Sequence, residues 1–263
     1  TYNWEEWDLG ASTPPNAPTG TAPWFRSWPS SSSPTRTFPR LSNLVNNTFA
    51  VGENLPNISS NLTRSFRLTM RDNQVSPSAG GVANDSMSLT VSSAAGPFLV
   101  TAPNTAVSWT GNSTQAVTWN VANTSAAPVN CATVTISLSA DGGLTYPHTL
   151  LIGTPNDGSQ DVTIPNYAVT TQARARVTCT LSPVVAFFDI SNVNFTVTRG
   201  TNNAPTASTI PDAAWYTGIP SNFAIPTFSD PDLDTLTYSA TFNGGALPGW
   251  LSINSASGDL SGT

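Results

Sequence analysis

Three aspartates alternate toward the end of the sequence, in the run Asp230-Pro231-Asp232-Leu233-Asp234. At i, i+2 and i+4 they share one face of an extended strand, and in a turn they can converge on a single ion. Hard carboxylate oxygens at this density suit Ca2+, which takes six to eight oxygen ligands. Asn202 or Asn203 at the preceding linker, Asp259 and main-chain carbonyls could complete the shell, so the expected cofactor is a structural Ca2+. The competing expectation is a solvated acidic turn that holds no ion. Asp72 and Asp85, on either side of Gly80-Gly81, form a weaker acidic pair in which turn-forming aspartates are the plainer reading.

Other chemistry is limited by counting. There is one histidine, His148, and there are two cysteines, Cys131 and Cys179. A Ser-His-Asp triad or a multi-histidine zinc site would have to be built on that single imidazole. In a secreted sandwich the two cysteines most simply form one disulfide, with a pair of buried thiols as the other option. The adjacent carboxylates Glu5 and Glu6 point to opposite faces if they lie in a strand, so they do not make a glycosidase acid–nucleophile pair. No catalytic residue is assigned. Trp24, Phe25 and Trp28 sit in a Pro/Ser/Thr-rich stretch, where self-burial is harder, and are candidates for contact with a partner.

Composition narrows the setting. The 263 residues carry 15 acids and nine bases, for a net charge of −6, and every base is arginine. A nucleic-acid binder needs clustered cations to displace counterions, and neither nucleic acid nor anionic membrane is an expected partner. No apolar run approaches the ~18–20 residues of a membrane span, so no membrane insertion is expected. Only 9% of residues are charged, and hydroxyls and amides solvate the surface instead, which fits a secreted protein. The sequons at Asn46, Asn57, Asn61, Asn84, Asn112, Asn123 and Asn194 could accept N-glycans, although a sequence this rich in Asn, Ser and Thr also produces them by chance. The chain starts at Thr1 rather than Met, as a processed product or fragment would.

These residues must be positioned by strands. Short runs rich in Val, Thr, Ile and Phe alternate apolar with polar residues between Gly/Pro/Asn/Asp clusters, as in Ala116-Val117-Thr118-Trp119-Asn120-Val121 and Thr133-Val134-Thr135-Ile136-Ser137-Leu138. No helical period is sustained, and the fold class implied is all-β, with antiparallel sandwiches in tandem. Three units are expected. Residues 1–95 end in a hairpin of 66–72 and 86–92 and include a long 11–39 loop, expected to be functional or mobile. Residues 96–199 form a complete sandwich of about seven strands. Residues 200–263 follow the linker Gly200-Thr201-Asn202-Asn203-Ala204-Pro205 and are too few for a sandwich of ~90–100 residues.

The second unit contains Gly96-Pro97-Phe98-Leu99-Val100-Thr101-Ala102-Pro103-Asn104, Ala127-Pro128-Val129-Asn130-Cys131 and Phe188-Asp189-Ile190-Ser191-Asn192-Val193-Asn194-Phe195. Through these runs it resembles the β-sandwich of bacterial secreted reprolysin-like metallopeptidases. The first unit is similar to the Ig-like module that precedes it there, through Tyr2-Asn3-Trp4-Glu5-Glu6-Trp7-Asp8-Leu9-Gly10 and Phe66-Arg67-Leu68-Thr69-Met70-Arg71-Asp72-Asn73. The third looks like a cadherin-like or Ig-like module, through Asn202-Asn203-Ala204-Pro205, the aspartate run and Leu247-Pro248-Gly249-Trp250-Leu251-Ser252-Ile253. The His-Glu-x-x-His motif of the protease domain is absent from the sequence, so the resemblance implies architecture and an extracellular or cell-surface setting, and no catalytic residue.

The resemblance also implies that both terminal sandwiches are incomplete: the first lacks its first strands and the third its last. A sandwich missing strands exposes sheet edges and half a core, which a strand from a neighbour can repair. Head-to-tail contacts of that kind do not close and give filaments. The expectation is therefore a non-catalytic extracellular stalk or filament subunit whose partners are other copies of itself. The alternative is an accessory substrate- or surface-binding segment of a larger secreted metalloprotease, partnered by flanking domains of a longer chain. With no lysine, Lys–Asn isopeptide crosslinks are excluded.

Overall fold

Alternation of apolar and polar side chains at period two lets a strand bury one face and wet the other, and the described residues form fifteen strands beside one short helix. A computed structural model describes residues 1–262 except Pro56, 76–79, Val184, Ala213, Trp215, Thr217 and Thr227. Thr263 lies outside the described residues.

The first unit comprises β1 (Tyr2–Glu6), α1 (Leu41–Val45), β2 (Leu62–Arg71) and β3 (Val82–Val91). They make a three-stranded antiparallel sheet with β2 in the centre, Phe66 lying opposite both Glu6 and Met87. Among the described residues no second sheet covers it. Instead the segment between β1 and β2 folds back and packs Trp24 and Phe25 on Phe66 with Phe38, Ile58 and Leu62 around them. The rings of Phe25, Phe38 and Phe66 lie 5.0–6.3 Å apart, within the range of edge and tilted aromatic contacts. The long loop is therefore the second layer of this unit.

The second unit holds β4 (Leu99–Ala102), β5 (Ser108–Thr110), β6 (Thr114–Asn120), β7 (Thr133–Ser139), β8 (His148–Pro155), β9 (Ser159–Thr163), β10 (Thr170–Ser182), β11 (Val185–Ile190) and β12 (Phe195–Thr198). One sheet runs β5-β12-β10-β7-β8, with β11 also paired to β10; the other runs β4-β6-β9. One pairing departs from the antiparallel expectation: β5 joins β12 in parallel. The chain crosses from one sheet to the other between β4 and β5, so β5 is added at an edge without a hairpin. Val117, Ile136, Leu138, Ile164, Ala173, Ala175 and Val177 are fully buried between the sheets. Trp119 donates its indole N–H to Asn156 Oδ1 (2.8 Å), which satisfies a polar group inside the apolar layer.

The third unit has three short strands, β13 (Ser221–Phe223), β14 (Leu251–Ile253) and β15 (Leu260–Gly262), with β15 central and antiparallel to both. Among its described residues no apolar side chain is buried, whereas Asp230 and Asp232 are. The chain is all-β, as the period-two pattern implies.

Candidate functional site at the junction of the second and third units

The turn that carries the aspartates is shaped by its own first residue. Asp230 Oδ1 accepts the backbone N–H of Asp232 (2.8 Å) and of Asp234 (3.3 Å), an aspartate-capped turn that folds the three side chains toward one point. One oxygen from each carboxylate can be chosen so that all lie within 4.8 Å of one another. Two oxygens bound to one Ca2+ at about 2.3–2.6 Å can be no farther apart than about 5 Å, so the spacing fits a shared cation.

The second unit closes on this turn from the other side. Arg199, just after β12, donates through Nη1 and Nη2 to the two oxygens of Asp234 at 2.9 and 2.5 Å. This fork-to-fork pairing lowers the Asp234 carboxyl and raises the Arg199 guanidinium from their ordinary values. Asn112, in the turn before β6, donates from Nδ2 to Asp232 Oδ1 (3.2 Å) and to the Thr201 carbonyl. Asn203 adds its backbone N–H to Asp232 Oδ2 (2.6 Å) and its Nδ2 to Oδ1 (3.1 Å). The Asn203 backbone bond, helped by the side-chain amides of Asn203, Asn112 and Asn166, holds the Asp232 carboxyl down at about 2.

The linker itself is seated by Asn166, which is buried and accepts the Gly200 N–H at Oδ1 (2.6 Å) while donating to the Thr201 carbonyl. A Cβ on Gly200 would collide with the Gly111 carbonyl, and one on Gly111 would collide with Asn166, so this close approach requires glycine at both positions. Three carboxylates against one guanidinium leave two negative charges at the junction, the charge of one divalent cation. The amides of Asn112 and Asn203 carry an acceptor beside each donor, and turning them over would present oxygen to an ion.

Residues 203–263 match a family model described as "Putative Ig domain". The match covers the third unit and includes all three aspartates and Asn203. None of the curated proteins matches the chain. An Ig-like segment belongs to the class of structural and binding modules, which is the general character the match supports.

The structure brings together Asp230, Asp232, Asp234 and Asn203, and it adds Asn112, Asn166 and Arg199. Asp259 is elsewhere: its Oδ2 accepts the Ser257 hydroxyl, and its carbonyl accepts the Asn254 N–H. It is thus part of a local turn and outside the cluster. Trp24 and Phe25 depart from the expectation of exposed partner contacts. Both are 7% exposed and lie in the core of the first unit, because buried Glu6 accepts both of their backbone N–H groups at 2.7 and 2.8 Å and pins the loop to β1. Trp28 is half-buried and donates to buried Glu53. Cys131 and Cys179 are joined in a disulfide with Cα atoms 6.2 Å apart. His148 lies against the Tyr167 ring, and burial lowers its pKa.

The sequon asparagines differ in what a glycan would cost. Asn57 is exposed, as are Asn46, Asn61, Asn84, Asn112 and Asn123. Asn112 donates the same Nδ2 that a glycan would occupy to Asp232. Asn194 is half-buried and accepts from Arg174 Nε. Asp72 and Asp85 do not form a pair: Asp72 accepts the Gln74 and Gly81 N–H groups, and Asp85 accepts that of Ser86.

Proposed function

We propose that this protein is a non-catalytic extracellular structural module, a subunit of a stalk or filament assembled head-to-tail by strand complementation. The observation that carries the reading is the unfinished burial of the third unit. Phe223, Ile225, Phe228, Leu236, Tyr238, Leu251, Ile253 and Leu260 are only half-buried, around a three-stranded sheet whose outer strands β13 and β14 each pair on one side. At about 25 cal/mol per Å2 of apolar surface, covering such a face is a strong drive toward association. The first unit supplies a matching element. Its edge strand β3 is ten residues long, pairs only with β2 among the described residues, and is exposed throughout Val82–Ser86, which leaves an edge that can accept an added strand.

Calcium belongs to the same reading as a stiffener of the second junction. It would sit against the three aspartates with Arg199 still beside them and the Asn112 and Asn203 amides turned over to present oxygen, fixing the angle between neighbouring units. A disulfide, and the absence among the described residues of any helix long and apolar enough to cross a membrane, agree with secretion. Sedimentation velocity on purified protein across a concentration series tests assembly; growth of species larger than a dimer is expected. A monomer at all concentrations would reject the filament and favour a segment whose open face is covered by flanking domains of a longer, metalloprotease-like chain. For calcium, an increase in melting temperature at millimolar Ca2+ relative to EDTA is expected, and no shift would remove the ion.

A further inference from the structure

A second site lies in the first unit, away from the aspartates. Where the segment between β1 and β2 folds over the edge of β1 it leaves a cavity of about 380 Å3, within the ~300–1,000 Å3 range of small-molecule sites. Tyr2, Trp4 and Trp28 contribute aromatic surface, Ser33 and Thr35 contribute hydroxyls, and Arg40 contributes a guanidinium. The indoles are held from behind. Trp4 donates its ring N–H to the Pro34 carbonyl (2.7 Å) and Trp28 donates to Glu53, so the rings are fixed in orientation before any ligand arrives.

Arg40 is the unusual member. Its guanidinium carbon lies 3.0 Å from the Trp28 ring centroid, a cation–π contact that leaves its N–H edge available. The nearby carboxylate, Glu53, is committed to the Arg36 guanidinium, the Trp28 indole and the Arg40 backbone N–H. Among the described residues no ion pair includes Arg40. In a chain of net charge −6, a stacked guanidinium without a carboxylate partner, placed in a concave wall of aromatics and hydroxyls, is a specific feature.

We propose that this cavity binds an acidic saccharide, a sugar ring bearing a carboxylate. The ring's C–H face packs on the Trp4 indole, since Arg40 covers a face of Trp28; its hydroxyls bond Ser33 and Thr35, and its carboxylate takes the N–H fork of Arg40. A phosphate-rich ligand fits less well, because one guanidinium without a lysine cluster or a backbone nest gives too few donors. The inference is independent of the filament and calcium readings.

The test is isothermal titration of the whole protein with digalacturonate and with neutral cellobiose. Saturable binding is expected, with the acidic sugar tighter by about tenfold or more, the range of a charge-assisted hydrogen bond. Arg40→Gln should erase that preference. Ser33→Trp, a change at an exposed loop position that fills the cavity, should abolish binding while leaving the melting temperature in place. No saturable binding at about 10 mM, equal affinity for the neutral sugar, or wild-type binding by either variant would overturn the proposal.

Discussion

Asp232 and Glu53 are both buried carboxylates and do different work. Asp232 is held by amide donors from the second unit and the linker. Its depressed pKa means that the charged form is what the folded junction binds. That contribution is complete above the ordinary aspartate value of about 3.9 and is lost as pH falls from there through about 2. The Asn203 amide resonance should therefore move between about pH 4 and pH 2, and a resonance unchanged across that window would contradict the assignment. Asp232→Asn should likewise speed proteolytic cleavage in residues 200–205 while leaving the melting of the second unit unchanged. Glu53 is instead the hub of the first unit, binding Arg36, Trp28 and the Arg40 amide. Glu53→Ala removes the carboxylate partner of the half-buried Arg36 guanidinium, and a loss of about 1–3 kcal/mol is expected in denaturant unfolding of that unit. A loss below about 1 kcal/mol, the size of a surface pair, would show that the pair is solvated. The aspartate run was legible in the sequence because its members are two residues apart. Asn112 was not legible as its partner, since 120 residues separate them and the only local signal was a sequon.

At the scale of elements, alternation in Ala116–Val121 and Thr133–Leu138 was enough to mark β6 and β7, although burial itself alternates only in β6; in β7, an interior strand of its sheet, Ser137 and Ser139 are buried as well. The same rule failed for residues 11–39. Proline and serine there signal loop, correctly for the backbone, but Glu6 in β1 captures the Trp24 and Phe25 amides and draws both rings into the core. Such a contact has no periodicity to read. The disulfide is an element-scale staple, tying the entrance of β7 to β10 across 48 residues. Its removal by the paired change Cys131→Ser and Cys179→Ser should cost the second unit about 4 kcal/mol by loop entropy. A change within about 0.5 kcal/mol would mean that the reduced chain is already held together.

Over the whole molecule burial is uneven, and the proposed association rests on that unevenness. The second unit closes its own core, the first uses a loop for its missing layer, and the third leaves its apolar face half-covered. On β3 the Ser86 N–H is given to the adjacent, exposed Asp85 carboxylate at 2.8 Å, a local bond that an added strand would displace and that a proline could not offer. Ser86→Pro should block strand addition there and leave a folded monomer. The measurement that bears most directly on head-to-tail assembly is electron microscopy of the purified wild-type protein beside Ser86→Pro. The account predicts linear filaments for the first and separate particles for the second. Separate particles from the wild-type protein at every concentration would contradict it.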